Sequence, residues 1–393
     1  MPSKLDQGHF IGIFALVLTM RAQHALDWKN RFMAFNPKEP YNELPLLPPA
    51  QEMESKAILK ASIRAHQALA RLDGSLKQLP NPGVLIDSIV LQEAKVSSEI
   101  ENIITTHDEL YQYAVADRAV TNTATKEVLH YKEALWYGYT DVKAKGILTT
   151  NTYIKLFQVI KKTQAGIRNT PGTQIINDKT NAVIYTPPSG EETIREKLKN
   201  LEEFLNLNDD ELDALVKMAV AHYQFEAIHP FTDGNGRTGR IINILYLVQQ
   251  GLLSFPVLYL SQYILEHRSK YYQLLRGVTE QGEWEHWILY MIRAVEETSL
   301  STLQKIEDIK KAMVAMADKL KTELPKVYSK DLVEVLFQRP YSKRQFLEEA
   351  GIAKVKTAGV YLVALEEKGF LKSVELGKEK LYLNTVLLDI LKK

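Results

Sequence analysis

Apolar residues recur at helical spacing through most of the chain, so a mostly α-helical protein is the first expectation. Ala57 to Leu76 is rich in Ala and Leu and is broken by KQLPNPG at 77–83. A second helix is expected from Val84 to Ile104, with Ile86, Ile89, Val90, Ile100, Ile103 and Ile104 on one face. A third should start at Asp209 as N-cap, with Leu212, Leu215, Val216, Ala219, Val220 and Tyr223 following the i, i+3, i+4, i+7 rule into Ile228 and His229. The pattern changes at Thr173 to Thr186, where two β-prone runs flank NDKTN and stop at Pro187-Pro188, which predicts a β-hairpin flap. Thr298 to Leu324 reads as a charged connector helix. From Leu332 to Leu383 the order is helix, break, helix, and a helix over Val355–Lys368. Two strands follow, Phe370–Leu376 and Lys380–Leu383, turning at Gly377. A helix-turn-helix with a two-stranded wing describes this last part most simply. Before the helices, Pro37 to Pro49 (PKEPYNELPLLPP) is an extended lead-in, because proline fixes φ and removes a donor.

Composition narrows the chemistry. The chain has 393 residues, 45% of them hydrophobic and 25% charged, an ordinary globular mixture. Lys+Arg is 49 against Asp+Glu at 48, a net charge of +1, which argues against an overall electrostatic grip on nucleic acid or acidic membrane. With no cysteine there is no disulfide, thiolate nucleophile or zinc-thiolate site, in keeping with a cytoplasmic setting. The apolar run Phe10 to Met20 falls short of the ~20 residues a membrane helix needs. It also lacks the basic flank and cleavage site of a signal, so a short buried or partner-packing helix is expected there and no membrane association.

The stretch His229-Pro230-Phe231-Thr232-Asp233-Gly234-Asn235-Gly236-Arg237-Thr238-Gly239-Arg240 concentrates reactive groups. A histidine ending a buried helix can act as a base near neutral pH. Asp233 offers a hard oxygen suited to Mg²⁺. Gly234 and Gly236 let the backbone N–H groups approach an anion. Arg237 and Arg240 lie one turn apart at the start of the next helix, whose N-terminus also favours phosphate.

These residues resemble the Fic domain, whose motif is HPFx(D/E)GNGRxxR, and every specified position is present. SSEIEN at 97–102 is similar to the family's inhibitory pattern (S/T)xxxE(G/N), and the likeness runs from about Tyr41 to Val295. The resemblance implies a Fic-type helical bundle and the transfer of AMP from ATP to a Tyr, Ser or Thr hydroxyl of a target protein. It makes the chain a nucleotidyltransferase, with self-modification among its reactions. His229 is then the general base and Asp233 the Mg²⁺ ligand. The backbone of Gly234 to Gly236 and the Asn235 side chain form an anion hole. Arg237 and Arg240 bind the outer phosphates, with Thr238 and Gly239 counted in the same ATP-binding stretch. Val183, Ile184 and Tyr185 of the flap lie nearest the nucleotide, Tyr271 near the nucleoside, and Ser97 and Glu101 inhibit from a helix before the motif. Thr279 stands where some members carry an Asn that meets the base. The implied domains are an extension at 1–40, an N-terminal region with the inhibitory helix at 41–120, the catalytic core at 121–297, and connector plus winged helix at 298–393.

Other features carry less. His222 shares a helical face with His229, but no third ligand is spaced for zinc, so a packed structural histidine is expected. From Tyr341 to Leu381 there are 8 Lys or Arg against 6 Glu, 8 − 6 = +2, too little for strong nonspecific DNA binding. Docking of protein, including a homodimer, stands beside DNA as the use of the winged helix. Two rivals to AMP transfer remain at this point: hydrolytic removal of AMP, with Glu101 positioning a water, and a DNA-binding regulator whose Fic domain only senses nucleotide.

Overall fold

The computed structural model describes residues 35–78, 83–115, 122–177, 180–207, 212–376 and 379–392. The apolar run at 10–20, the expected cap Asp209 and the turn residue Gly377 lie outside them. Helices dominate: α1 (Lys56–Lys77), α2 (Gly83–Ile100), α3 (His107–Val115), α4 (Thr123–Lys145), α5 (Thr150–Lys161), α6 (Glu191–Asn206), α7 (Ala214–Ile228), α8 (Asn235–Gln249), α9 (Leu260–Glu266), α10 (Arg268–Gln281) and α11 (Trp284–Glu323). Between α5 and α6 stands the hairpin β1 (Ile175–Ile176) and β2 (Val183–Tyr185), antiparallel with Ile175 opposite Tyr185.

The core sits where α7 and α8 cross inside a ring of the other helices. Leu215, Val216, Ala219, Val220 and Ile228 of α7 and Ile241, Ile244 and Leu245 of α8 are fully or almost fully buried. A helix apolar on every side needs partners on every side, which α7 finds in α6, α8 and α11. It starts one turn later than the sequence suggests. Asp213, not Asp209, caps it, accepting from Leu215 N at 2.9 Å while also accepting from Ser62 Oγ at 2.6 Å. That second bond ties the cap to α1, a contact no local pattern reveals.

Two other boundaries differ from expectation. The second helix ends at Ile100, not Ile104. Asn102 takes a left-handed φ of 60°, Ile103 N bonds back to Ser98 O at 3.0 Å, and Ile104 is 67% exposed. The connector does not begin at Thr298 either: α11 runs 40 residues without a break, packed parallel along α1 through Ser55–Glu285, Arg64–Glu296 and Ser75–Lys310, so the expected 297/298 boundary falls inside one helix.

Beyond α11 come α12 (Lys330–Gln338), β3 (Tyr341–Ser342), α13 (Arg344–Glu349), α14 (Val355–Glu367), β4 (Lys372–Leu376), β5 (Glu379–Leu383) and α15 (Thr385–Lys392). The sheet has three strands in the order β3-β5-β4, one more than the sequence pattern suggests, because Tyr341 and Ser342 pair with Leu383 and Tyr382. This part rests on α2: Ser88 Oγ donates to Gln338 O at 3.1 Å.

Candidate active site

The motif loop is fixed from inside. His229 caps α7 with a left-handed φ of 49°, which turns the chain sharply out of the helix. Phe231 is fully buried and stacks on Phe157, ring centroids 4.3 Å apart. The Asn235 amide then staples the loop: its Oδ1 accepts from Phe231 N at 2.9 Å and its Nδ2 donates to Phe231 O at 2.8 Å. The expectation that this side chain faces an anion is therefore revised, since both its polar atoms are engaged with the loop's own backbone. The first turn of α8 still offers backbone N–H groups that lack intrahelical partners, as any helix start does, and an anion can be accommodated there.

Arg168 was not singled out by the sequence, yet it organises His229. Its guanidinium is buried, donates through Nε to His229 O at 2.7 Å, and also reaches Ile228 O at 3.3 Å and Pro188 O. These bonds satisfy carbonyls left free where α7 ends. Burial, and after it the Arg168 cation, bring the His229 pKa down to about 4. The imidazole is thus neutral, the form a general base needs.

A cavity of about 650 Å³ opens beside this histidine. From the expected site residues it gathers Glu101, Ile184, Tyr185, His229, Gly236, Arg240 and Tyr271, with Thr279 also in its wall. Arg240 is buried at its floor. Its Nε donates to Ser97 Oγ at 2.8 Å, and its second amino group donates to Ser97 O at 2.8 Å and to Glu101 Oε1 at 2.9 Å. The Glu101 contact is a single bond, not the fork that a bidentate pair would make, with Ser97 holding Nε and sharing the same amino group. Burial works against the Arg240 charge, but Glu101 and its neighbours hold it more firmly than usual. A Cβ on Gly236 would lie 2.4 Å from Glu101 Oε1 and 2.9 Å from Arg240, so any side chain here would have to push the carboxylate aside.

Other expected residues stand elsewhere. Asp233 and Arg237 sit beside the cavity in a separate cluster with Glu127 and Lys161. Thr238 is buried and donates to Gly234 O at 2.9 Å, and Gly239 packs against Phe225 and Glu226 of α7, so both serve the α7–α8 contact. Val183 pairs with Ile176 in the flap. Tyr271 is buried, bonded through its hydroxyl to His222 Nε2 at 2.9 Å. His222 also stacks on Trp287, as a packed structural histidine does, and burial lowers its pKa to about 3. Among the described residues no group of three or more His, Cys, Asp or Glu is arranged to hold a metal. Glu226 had no sequence signal beyond its place in FEAIHPF. It lines the cavity with Oε1 buried and unpartnered among the described residues, and burial raises its pKa to about 7.

The flap is anchored at its C-terminal end. Tyr185 OH donates to Ala227 O at 2.8 Å, its ring stacks on Phe35, and Tyr41 N bonds Thr186 O at 3.0 Å. The lead-in segment therefore braces the hairpin beside the cavity. In the C-terminal part, the open face of α14 presents Lys354 and Lys356 beside exposed Val360 and Val363.

A helical bundle whose one loop sets a base, a carboxylate and two arginines under an acidic turn has the Fic fold. A solved Fic family protein from Desulfovibrio desulfuricans superposes with a TM-score of 0.53 at 16% identity, covering 86% of this chain and 98% of that one. Fic-1 from C. elegans does so at 0.50 and 21% identity, covering 65% and 74%. Residues 59–140 match the Fic/DOC family N-terminal model, 148–247 the Fic/DOC family model, and 313–387 the model for the C-terminal domain of SoFic-like protein adenylyltransferases. Residues 148–247 thus carry a Fic/DOC domain, preceded by a Fic/DOC N-terminal region at 59–140. The chain is 35% identical over 116 residues to protein adenylyltransferase fic-1 of Caenorhabditis elegans, covering 28% of this chain and 21% of that one. It is 40% identical over 73 residues to a probable protein adenylyltransferase of Aquifex aeolicus, covering 19% and 20%. The chain thus spans about a fifth of the length of the curated relatives it matches.

Proposed function

We propose that the chain is a protein adenylyltransferase that moves AMP from ATP to a hydroxyl of a protein and is held back by Glu101. The observation that carries this is the meeting, in one cavity, of a neutral histidine and a buried arginine capped by a displaceable carboxylate. In the reaction the target hydroxyl oxygen attacks the α-phosphorus while His229 takes its proton. The bond to the β-phosphate breaks, and pyrophosphate leaves. The first-turn N–H groups of α8 would stabilise charge on the α-phosphate, and Arg240 would take the outer phosphate once Glu101 withdraws. Tyr185 and Ile184 would hold the target chain against the flap edge by main-chain pairing.

The residues fit Mg²⁺ in the manner usual for nucleotide enzymes: one hard carboxylate, Asp233, whose side chain is 61% exposed, with phosphate and water expected to supply the other oxygens. Bound there, the ion would neutralise charge on the polyphosphate as it leaves. A second reading, hydrolytic removal of AMP, is supported by Glu101, which lines the cavity and uses only Oε1 in its bond to Arg240. The test is transfer of label from α-phosphate-labelled ATP into protein. Label should enter with the wild-type chain and be lost with His229→Ala, while ATP still binds. Transfer at the wild-type rate by that variant would remove His229 as the base, and release of AMP from a modified protein without any transfer would favour hydrolysis.

A further inference from the structure

Four charged groups beside the cavity form a closed ring of alternating sign, and two of them lie outside the motif. Lys161, the last residue of α5, places Nζ 2.7 Å from Asp233 Oδ2 and 3.2 Å from Glu127 Oε2. Arg237 donates to the same Glu127 oxygen at 2.7 Å and lies 3.7 Å from Asp233 Oδ1. The Lys161 stem runs along Gly234, close enough that a Cβ there would sit 3.6 Å from it. Burial pushes the Glu127 carboxyl up, but Arg237 and Lys161 bring it below its usual range. Asp233 is lowered in the same way, chiefly through Lys161. Two carboxylates face two basic groups around the ring, so its formal charge sums to zero.

Both Asp233 oxygens thus already have a partner before any divalent ion arrives. Oδ2 carries the lysine ammonium, and Oδ1 accepts from Gly234 N at 2.5 Å. An ion on Oδ2 at about 2.1 Å would stand against the ammonium, and two cations at that spacing repel strongly. Lys161 has a retreat already in contact, the Glu127 carboxylate, which stays bound to Arg237 throughout.

We propose that Lys161 is a built-in stand-in for the divalent cation at Asp233, and that Glu127 receives its ammonium when the ion arrives. The proposal rests on the reading of Asp233 as the ion's ligand. Lys161 keeps the carboxylate compensated before nucleotide binds, and Glu127 holds Arg237 in place in both states. Both are positioning residues.

The experiment is a titration of the full chain with Mn²⁺ alone, followed by electron paramagnetic resonance, so that no nucleotide or transfer is needed. Lys161→Met keeps the stem and removes the charge, and should tighten Mn²⁺ binding about tenfold, with the gain lost in Lys161→Met/Asp233→Asn. Glu127→Gln leaves Asp233 as the only carboxylate for Lys161 and should weaken Mn²⁺ binding severalfold, a loss that adding Lys161→Met should reverse. A merely structural pair would lower binding in every variant. Unchanged or weaker Mn²⁺ binding by a folded Lys161→Met chain overturns the proposal. If Mn²⁺ binding shifts as stated yet label from ATP never enters protein, the ring stands and the adenylyltransferase reading falls.

Discussion

Replacing Glu101 by glycine should raise labelling of the protein and of its targets above wild type. The carboxylate stands 2.9 Å from an arginine that is 1% exposed, while its own side chain is 35% exposed. The contact therefore lies between two known regimes. Exposed pairs contribute about 0.2–1 kcal/mol, and breaking a buried pair costs about 3–5 kcal/mol. Because Ser97 Oγ and O already satisfy two of the Arg240 N–H groups, the lower half of that span applies, roughly 1–2.5 kcal/mol. That is the free energy an incoming phosphate must offset to displace Glu101. Its removal should raise labelling between about fivefold and sixtyfold, at tenfold per 1.4 kcal/mol. The folding cost is small, since Glu101 sits past the last residue of α2 and the full glycine penalty of a helix interior, ~1 kcal/mol, does not apply. The assay is incorporation of α-phosphate label into the chain and candidate targets, with ATP affinity measured alongside. Glu101→Gln, which keeps the shape and drops the charge, should fall between glycine and wild type. Labelling by a folded Glu101→Gly chain at or below the wild-type level, on itself and on every target, refutes the inhibitory role.

Two further outcomes follow from the buried charges. Arg168→Met leaves the carbonyls of His229, Ile228 and Pro188 without their donor, at roughly 1–3 kcal/mol for each buried group, and should cut labelling and stability together. It also removes a cation that depresses the His229 pKa, so the acid limb of the pH–rate profile should move up; a limb that stays put or moves down contradicts the electrostatic part of the argument. Stability should fall as the solution is acidified below the ordinary histidine range. His107 and His229 are held down to about 4 and His222 to about 3 by burial, so between there and 6.5 the unfolded chain binds more protons than the native one. Each histidine contributes up to ~1.4 kcal/mol per pH unit in that window, and all of that stability is present above it. Urea midpoints from pH 7 to pH 5 measure the slope, and a flat profile would mean these rings are charged in the native state.

What the sequence made legible was whatever is contiguous. His229 to Arg240 is one loop and one helix start, so spacing alone places a base, a carboxylate and two arginines together. Ser97 and Glu101 could be paired with Arg240 only through the family resemblance, because 139 residues separate Glu101 from its partner. Glu127, Lys161 and Arg168 had no such help. Glu127 and Arg237 are 110 residues apart, Arg168 and His229 61, and each looks like one more surface charge until helices α4 and α5 are packed on α8. The end of α2 was misplaced for a different reason. Ile103 and Ile104 continue the apolar count, but Asn102 closes the helix with a left-handed turn, and an asparagine after a helical run is weak evidence beside two isoleucines.

That helix end bears on how the proposed inhibition would work. Glu93, Ser97 and Glu101 follow at i, i+4 and i+8, so one face of α2 carries all three toward Arg240. Glu93 is fully inside, accepting from Ser261 N at 3.0 Å and Tyr131 OH at 3.1 Å as well as from the Ser261 hydroxyl, and Ser97 is equally buried. Glu101 alone lies beyond the last helical residue, in a turn held by Glu101 N to Ser98 O and Ile103 N to Ser98 O at 3.0 Å each. Withdrawing the carboxylate therefore requires opening one turn at a helix end, where fraying costs least, and leaves Ser97 and Glu93 in place. Arg240 then keeps two of its three partners and its position, so the phosphate meets an arginine that is already oriented. A Glu101 placed one turn earlier, within the helix, would have to carry Ser97 away with it, and the arginine would lose its support at the moment it is needed.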